Sequence, residues 1–275
     1  MIDLVGKIGS MALLNDKRTK IDFDKFGKIG KHLAPGVIWV SSGAVEIGRL
    51  DYISRNGGSE LSGNIEEIKT DYAAQGQAIL METYRSCVSP KFSVRQVLVE
   101  HQHFNNLAKR KHIKNLLLRA AAQNAVPIVN YNDAVSFEES RKMEIAALRQ
   151  QSNGSTVSAL VDNDETASQI AQLVEAKNLL ILTNLDGIYR DINDQKSLIG
   201  TITGTSAAEV LTRIDEAKAS CKGASRAGAF GAAAKLEHIK PCIIKGVRVF
   251  IASAKNDIID ILSGKAPCTR IGVNL

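Results

Sequence analysis

Aromatic side chains are scarce in this 275-residue chain, at 5%. A core therefore has to be assembled from Ile, Leu, Val and Ala, which the hydrophobic fraction of 44% supplies in ordinary amount. The cysteines Cys87, Cys221, Cys242 and Cys268 lie far apart with no CxxC spacing. That excludes a zinc ribbon and a thioredoxin-like redox motif, and it reads as reduced thiols in a cytoplasmic protein. No apolar run approaches the roughly 20 residues that span a bilayer. Met1 to Ser10 lacks the basic start and long apolar region of a secretory signal. No membrane partner is expected. There is no Walker A sequence and no GxGxxG fingerprint, and no HExxH or GxSxG. The histidines are scattered; His101 and His103, two apart, read as a surface pair rather than a metal site.

Charge of one sign is in modest excess, at +6. That fits anionic ligands and equally fits a basic, solvated surface. The densest basic cluster, Lys109-Arg110-Lys111-His112, has no interleaved aromatics. It reads as a solvated helix face, so no nucleic-acid partner is expected.

Periodicity places strands at Ile2 to Ile8, Val37 to Val40, Val94 to Val99, Val126 to Val129, Leu179 to Leu182, Val247 to Ala252 and Thr269 to Val273. Helical spacing appears over 22–33, over 71–86, and through Ile113, Leu116, Leu117, Ala120 and Ala121. It recurs through Ala167, Ile170, Ala171 and Val174, with Asp162 placed to cap that helix and Glu165 as its capping-box partner. A helix over 228–245 should be disturbed at Pro241, and a short one covers Asp257 to Leu262. Residues 54–64 read as a loop, 137–160 as a polar, partly helical excursion with a flexible centre at Ser152 to Ser155, and 190–227 as a second excursion. Strands alternating with helices predict an α/β fold, a three-layer α/β/α sandwich with a mainly parallel open sheet. No linker divides the chain.

Several of these strands end in small or polar residues: Lys7-Ile8-Gly9-Ser10, Ser41-Ser42-Gly43-Ala44, Asn130-Tyr131-Asn132-Asp133 and Thr183-Asn184. In a parallel sheet such ends share one edge, where ligands bind. Glycine there lets backbone N–H groups approach an anion, and a following helix adds its dipole.

Seven blocks in this order resemble the amino-acid kinase family, most closely its glutamate 5-kinase branch. They are VGKIGS at 5–10, VSSGAVEIGR at 40–49, AAQGQAILM at 73–81, VPIVNYNDAV at 126–135, DND at 162–164, LLILTNLDGIY at 179–189 and GAFGAAAK at 228–235. The resemblance runs from Lys7 to about Val273. It covers the kinase domain and no PUA-like domain. It implies the amino-acid kinase fold in one domain over 1–275, with an acid-substrate lobe over about 1–172 and a nucleotide lobe over 173–275. It further implies phosphoryl transfer from ATP, with Mg²⁺ carried on the nucleotide and no dedicated metal site. The acceptor would be the side-chain carboxylate of L-glutamate, making the enzyme the first on the route to proline. Family members tend to form homo-oligomers.

By the same resemblance, Lys7 and Lys235 flank the transferring phosphoryl and Asp164 holds both. Ser42, Gly43, Asp133 and Asn163 hold the acid, with Asp133 on an α-ammonium and Ser42 and Asn163 donating to carboxylate oxygens. Gly9, Ser10, Thr183, Asn184, Gly228 and Gly231, together with Lys235, hold the nucleotide. The chain departs from the family pattern in four places. Phe230 replaces a glycine of the GTGGM-type turn. Tyr131 stands where glutamate kinases commonly carry an acidic residue. Val161 replaces a glycine, and the link from Val135 to Asp162 is long. Two alternatives stay open: a relative acting on another small acid, a phosphate or a phosphonate, and a nucleotide-binding protein without turnover.

Overall fold

The computed structural model describes residues 2–151, 157–160, 162–221 and 231–275. In chain order the elements are β1 (Leu4–Ile8), α1 (Phe23–Gly30), β2 (Val37–Ser41), α2 (Ala44–Arg55), α3 (Ile65–Cys87), β3 (Ser93–Val99), α4 (Gln102–Asn105), α5 (Leu107–Ala122), β4 (Ala125–Tyr131) and α6 (Glu138–Gln151). They continue with α7 (Asn163–Leu173), β5 (Asn178–Thr183), β6 (Thr201–Gly204), α8 (Ala207–Ser220), α9 (Ala232–Ile244), β7 (Arg248–Ser253), α10 (Ile258–Leu262) and β8 (Cys268–Val273). Every expected strand is present, and the fold is α/β with mainly parallel pairing.

The chain divides into two compact units. The first comprises Met1–Ile8, Gly36–Val40 and Asp164–Leu275. Its strands run in the order β2-β1-β5-β7-β8-β6. β1 pairs parallel with β5, β5 with β7, and β6 with β8, while β7 and β8 are antiparallel. Every residue of β1 is buried, and Leu179 to Leu182 is almost wholly so. That is the continuous apolar run of a strand covered on both faces. Gly6 has no side chain because the Trp39 ring occupies the space: a Cβ would sit 2.0 Å from it. α7 buries Ala167, Ile170 and Ala171, and Val174 just beyond it is buried too. It begins at Asn163, which puts Asp162 at the cap position. α9 runs through Pro241 as one helix, because Leu236, Ile239, Cys242 and Ile243 bury on either side of it.

The second unit comprises Gly9–Pro35 and Ser41–Asn163. β3 and β4 pair in parallel from Ser93↔Ala125 to Val99↔Tyr131. α3 starts six residues earlier than its apolar spacing suggests, because the Asn64 carboxamide oxygen accepts the Glu66 N–H at 2.8 Å and caps it there. α2 and α3 pack backbone to backbone at paired glycines. A Cβ on Gly76 would lie 1.9 Å from the Ala44 carbonyl oxygen, and one on Gly48 would lie 1.9 Å from that of Tyr72.

Three local expectations change. The 190–227 excursion holds a strand and a 14-residue helix, β6 and α8, where no element was assigned from sequence. His101 is buried at 5% exposure rather than at the surface, because its Nε2 meets Glu144 Oε2 at 2.7 Å. His103 Nδ1 accepts the Glu100 N–H at 2.9 Å, a structural role. The expected flexible centre at 152–155 lies outside the described residues.

Gly76→Ala should destabilise the protein by about 1–3 kcal/mol or more through overpacking against backbone that cannot yield. Urea unfolding of the variant beside wild type measures it; an unchanged midpoint would rule out the close helix contact.

Candidate active site

In the first unit Lys7, next to the end of β1, is held in register opposite Ile181 of β5. Its position on a doubly covered strand leaves it only 7% exposed. Asp164, in the first turn of α7, is 2% exposed. Lys235, one turn into α9, completes the cluster. Asp164 Oδ1 lies 2.5 Å from Lys7 Nζ, and Oδ2 lies 2.8 Å from Lys235 Nζ. Burial alone would push the Asp164 carboxyl up, but Lys7 and Lys235 outweigh it and hold it below the usual carboxylate range. Two lysine side chains thus converge on one carboxylate, at 9% and 17% side-chain exposure. An anion there would be strongly attracted.

The other nucleotide-site candidates have more modest geometry. The Thr183 hydroxyl donates to the Leu185 carbonyl and accepts the Leu185 N–H, both at 2.9 Å, so it shapes its own turn after β5. Asn184 is exposed. Gly231 is the N-cap of α9 and makes no side-chain cap, as a glycine must. Gly228 and Phe230 lie outside the described residues, as does Val161. In the second unit Gly9 has φ −76°, an ordinary value, so it is not there for a left-handed turn. Gly9 and Ser10 open a short 3-10 turn over Ser10–Leu13, closed by the Ala12 N–H on the Gly9 carbonyl at 3.1 Å.

Of the acid-site candidates, Ser42, Gly43 and Asn163 come together in that second unit. Gly43 has φ +113°, a left-handed conformation that a side chain would strain, and it caps α2. Beside it the Ser42 hydroxyl accepts from Asn163 Nδ2 at 3.0 Å, and the same amide donates to Asn130 Oδ1 at 3.0 Å. Asn130 Oδ1 also accepts the Tyr131 backbone N–H at 2.9 Å, which fixes its orientation, and Asn130 Nδ2 donates to Gln77 Oε1 at 2.8 Å. The expected roles shift accordingly. Asn163 has spent its N–H groups within the protein and cannot donate to a carboxylate. Its free group is the oxygen Oδ1, buried without a partner, and at the other end of the chain of amides Gln77 Nε2 is a buried donor without one. Native proteins rarely leave such atoms idle. The network thus offers one acceptor and one donor to a ligand. Gln77 and Asn130 were not singled out from sequence, although both lie in the matching blocks AAQGQAILM and VPIVNYNDAV.

Asp133 follows β4 in the same unit. Burial pushes its carboxyl up to about 6, and only the Arg141 charge pulls it down. It lines a cavity of about 170 Å³ with Tyr131, Ser136 and Arg141. Among the described residues no three His, Cys, Asp or Glu side chains form a metal-binding group. No described helix is long and apolar enough to cross a membrane.

Comparison with known proteins agrees with this layout. The amino acid kinase family model matches residues 4–253. Glutamate 5-kinase 1 of Bacillus licheniformis is 30% identical over 98% of this chain and 68% of its own length. Glutamate 5-kinase of Clostridium acetobutylicum is 28% identical over 92% of this chain and 86% of its own. Among solved structures, carbamate kinase from Giardia lamblia bound to AMP-PNP aligns with a TM-score of 0.56 at 19% identity, covering 98% of this chain and 97% of that one. UMP kinase from Ureaplasma parvum aligns at 0.52 and 13% identity, covering 99% of both. These two show likeness of fold alone. Taken with the paired lysines, the matches define a phosphotransferase of the α/β class. The chain belongs to the amino acid kinase family.

The Asp133 carboxyl yields a signed prediction. Its folded value lies above its unfolded one, near 3.8, so the folded state holds the extra proton between about 4 and 6. Stability from this group is therefore lost as pH rises through that window. Asp133→Asn removes the penalty and should stabilise the protein by on the order of 3 kcal/mol at pH 7.5, the value of a two-unit shift, with the gain vanishing near pH 4. Urea midpoints at the two pH values test it; equal effects at both would contradict a buried, ionised Asp133.

Proposed function

We propose that this chain transfers the γ-phosphoryl group of ATP to the side-chain carboxylate of L-glutamate, giving glutamyl 5-phosphate, the first step toward proline, in the cytoplasm. The observation that carries the phosphotransfer reading is the buried Lys7–Asp164–Lys235 cluster. The relatives named as glutamate 5-kinases favour glutamate as the acceptor. A carboxylate nucleophile is already ionised at neutral pH, so no general base is needed. The barrier lies in bringing it to a polyanion and in stabilising the transferring group, which positioning and fixed positive charge accomplish.

In this reading Lys7 and Lys235 stabilise charge on the phosphoryl oxygens, and Asp164 positions both ammoniums. Asp164 does not touch the reacting atoms. Among the described residues no group of His, Cys, Asp or Glu forms a metal cage, and in this reading Mg²⁺ would be carried on the nucleotide phosphates. Gly9, Ser10, Gly231 and Asn184 offer N–H and amide donors to the nucleotide, and Thr183 sets the turn beside them. On the acid side, Asp133 and Asn163 Oδ1 accept from the ammonium. Gln77 Nε2 donates to an acid oxygen. Ser42 and Gly43 hold the frame for these groups.

The test is turnover of ATP with Mg²⁺ and a panel of small acids, with hydroxylamine present to trap an acyl phosphate. Hydroxamate should form with L-glutamate. Lys7→Ala and Lys235→Ala should each lower kcat by roughly 10²-fold or more, the size of removing one stabilising donor from a transition state. ADP release with a different acceptor overturns glutamate. Nucleotide binding without turnover for any acceptor overturns the kinase reading.

A further inference from the structure

Two of the three departures of the second unit from the glutamate-kinase pattern meet at one place; the third, Val161, lies outside the described residues. α6 lies in the long segment after Val135, and it carries Arg141. The Arg141 guanidinium carbon sits 5.5 Å from the centre of the Tyr131 ring. That ring is pinned by its own hydroxyl, 2.9 Å from Ser136 Oγ, and the Arg141 backbone N–H is anchored on the Phe137 carbonyl at 3.0 Å. Stacking on an aromatic face fixes a guanidinium while leaving its N–H groups free. An acidic residue at position 131 would instead engage them.

The charges around this cavity can be sorted by whether they already have partners. Lys69 pairs with Glu66 at 2.7 Å, and Lys142 with Glu138 at 2.5 Å. Asp133 accepts no hydrogen bond from any described residue, and Arg141 has no described carboxylate within ion-pair distance. One anion and one cation thus have no hydrogen-bonded or ion-pair partner, although each feels the other's charge, and both line the same space of about 170 Å³. That volume is far below the 300–1,000 Å³ of drug-sized sites and suits a small polar molecule. The chemistry complementary to this carboxylate and this guanidinium fork is a zwitterionic α-amino-acid head: ammonium to the first, carboxylate to the second.

Building on the reading of this unit as the acid-binding part of an amino-acid kinase, we infer that Arg141, held by the Tyr131 ring, is a specificity-determining residue that takes the α-carboxylate of the acceptor while Asp133 takes its ammonium. The side-chain carboxylate is then the end left free to react. The extra segment that supplies α6 acts as a selector for free α-amino acids against acids lacking the head group.

The test is equilibrium binding by calorimetry of L-glutamate and of 4-aminobutyrate, which is the same chain without the α-carboxylate. It uses wild type, Arg141→Gln and Arg141→Lys, with circular dichroism to confirm that each variant is folded. Wild type should prefer L-glutamate by roughly 30-fold or more, the lower end for loss of one partner of a buried charge pair. Arg141→Gln should lose that preference by weakening L-glutamate alone, and Arg141→Lys, which keeps the charge without the fork, should restore part of it. Equal weakening of both ligands, no weakening of either, or no binding of L-glutamate to wild type overturns the inference. Arg141-dependent discrimination without hydroxamate formation would sink the glutamate kinase reading and leave this inference standing. Hydroxamate formation with discrimination unchanged in Arg141→Gln would do the reverse.

Discussion

One buried carboxylate organises the first unit. Asp164 is 2% exposed and sits between two lysine ammoniums at 2.5 and 2.8 Å. None of the three would be stable in place without the others. A lone carboxylate at that depth would be pushed toward taking up a proton, and each lysine would lose the carboxylate that holds it. Together they tie the end of β1, the start of α7 and the first turns of α9 to one point. The arrangement costs desolvation that an apolar cluster would avoid, which is consistent with the proposed role of the two lysines toward a phosphoryl group.

The second unit solves a different problem with neutral groups. A line of amides from Ser42 through Asn163 and Asn130 to Gln77 satisfies itself internally except at its two ends, where Asn163 Oδ1 and Gln77 Nε2 are buried and unpartnered. Asp133 adds a carboxyl whose burial makes it costly. Unpaired polar atoms and a raised carboxyl both lower stability, and both are tolerated where a ligand will pair them. Asn163 and Asp164 are consecutive in the chain, yet one belongs to the amide line and the other to the lysine cluster. The DND block thus serves both kinds of site.

Much of this was legible from periodicity. All strands except β6 were placed because buried parallel strands are continuous apolar runs. β6 and α8 were missed because β6 is a four-residue edge strand, TITG, too short for a pattern. The start of α8 did carry a signal in Ser206-Ala-Ala-Glu209: the Ser206 hydroxyl accepts the Glu209 N–H at 3.3 Å. His101 was misplaced because burial of a polar ring depends on a partner 43 residues away, Glu144, which no local window contains.

The sequence by itself determined the alternation of strands and helices, the polar strand ends, and the identity of Lys7, Asp164 and Lys235 as candidates. These follow from short-range patterns and from residue types. Only the tertiary structure decided which atoms are free. The Asn163 side chain is an acceptor rather than a donor because Ser42 and Asn130, 121 and 33 residues earlier in the chain, consume its amide N–H groups. Asp133 and Arg141 make no close ion pair in their cavity, while Glu66 and Glu138 there are paired with Lys69 and Lys142. Hydrogen-bond saturation and charge pairing are settled by neighbours in space, and residue type alone cannot say which bonds have already been spent.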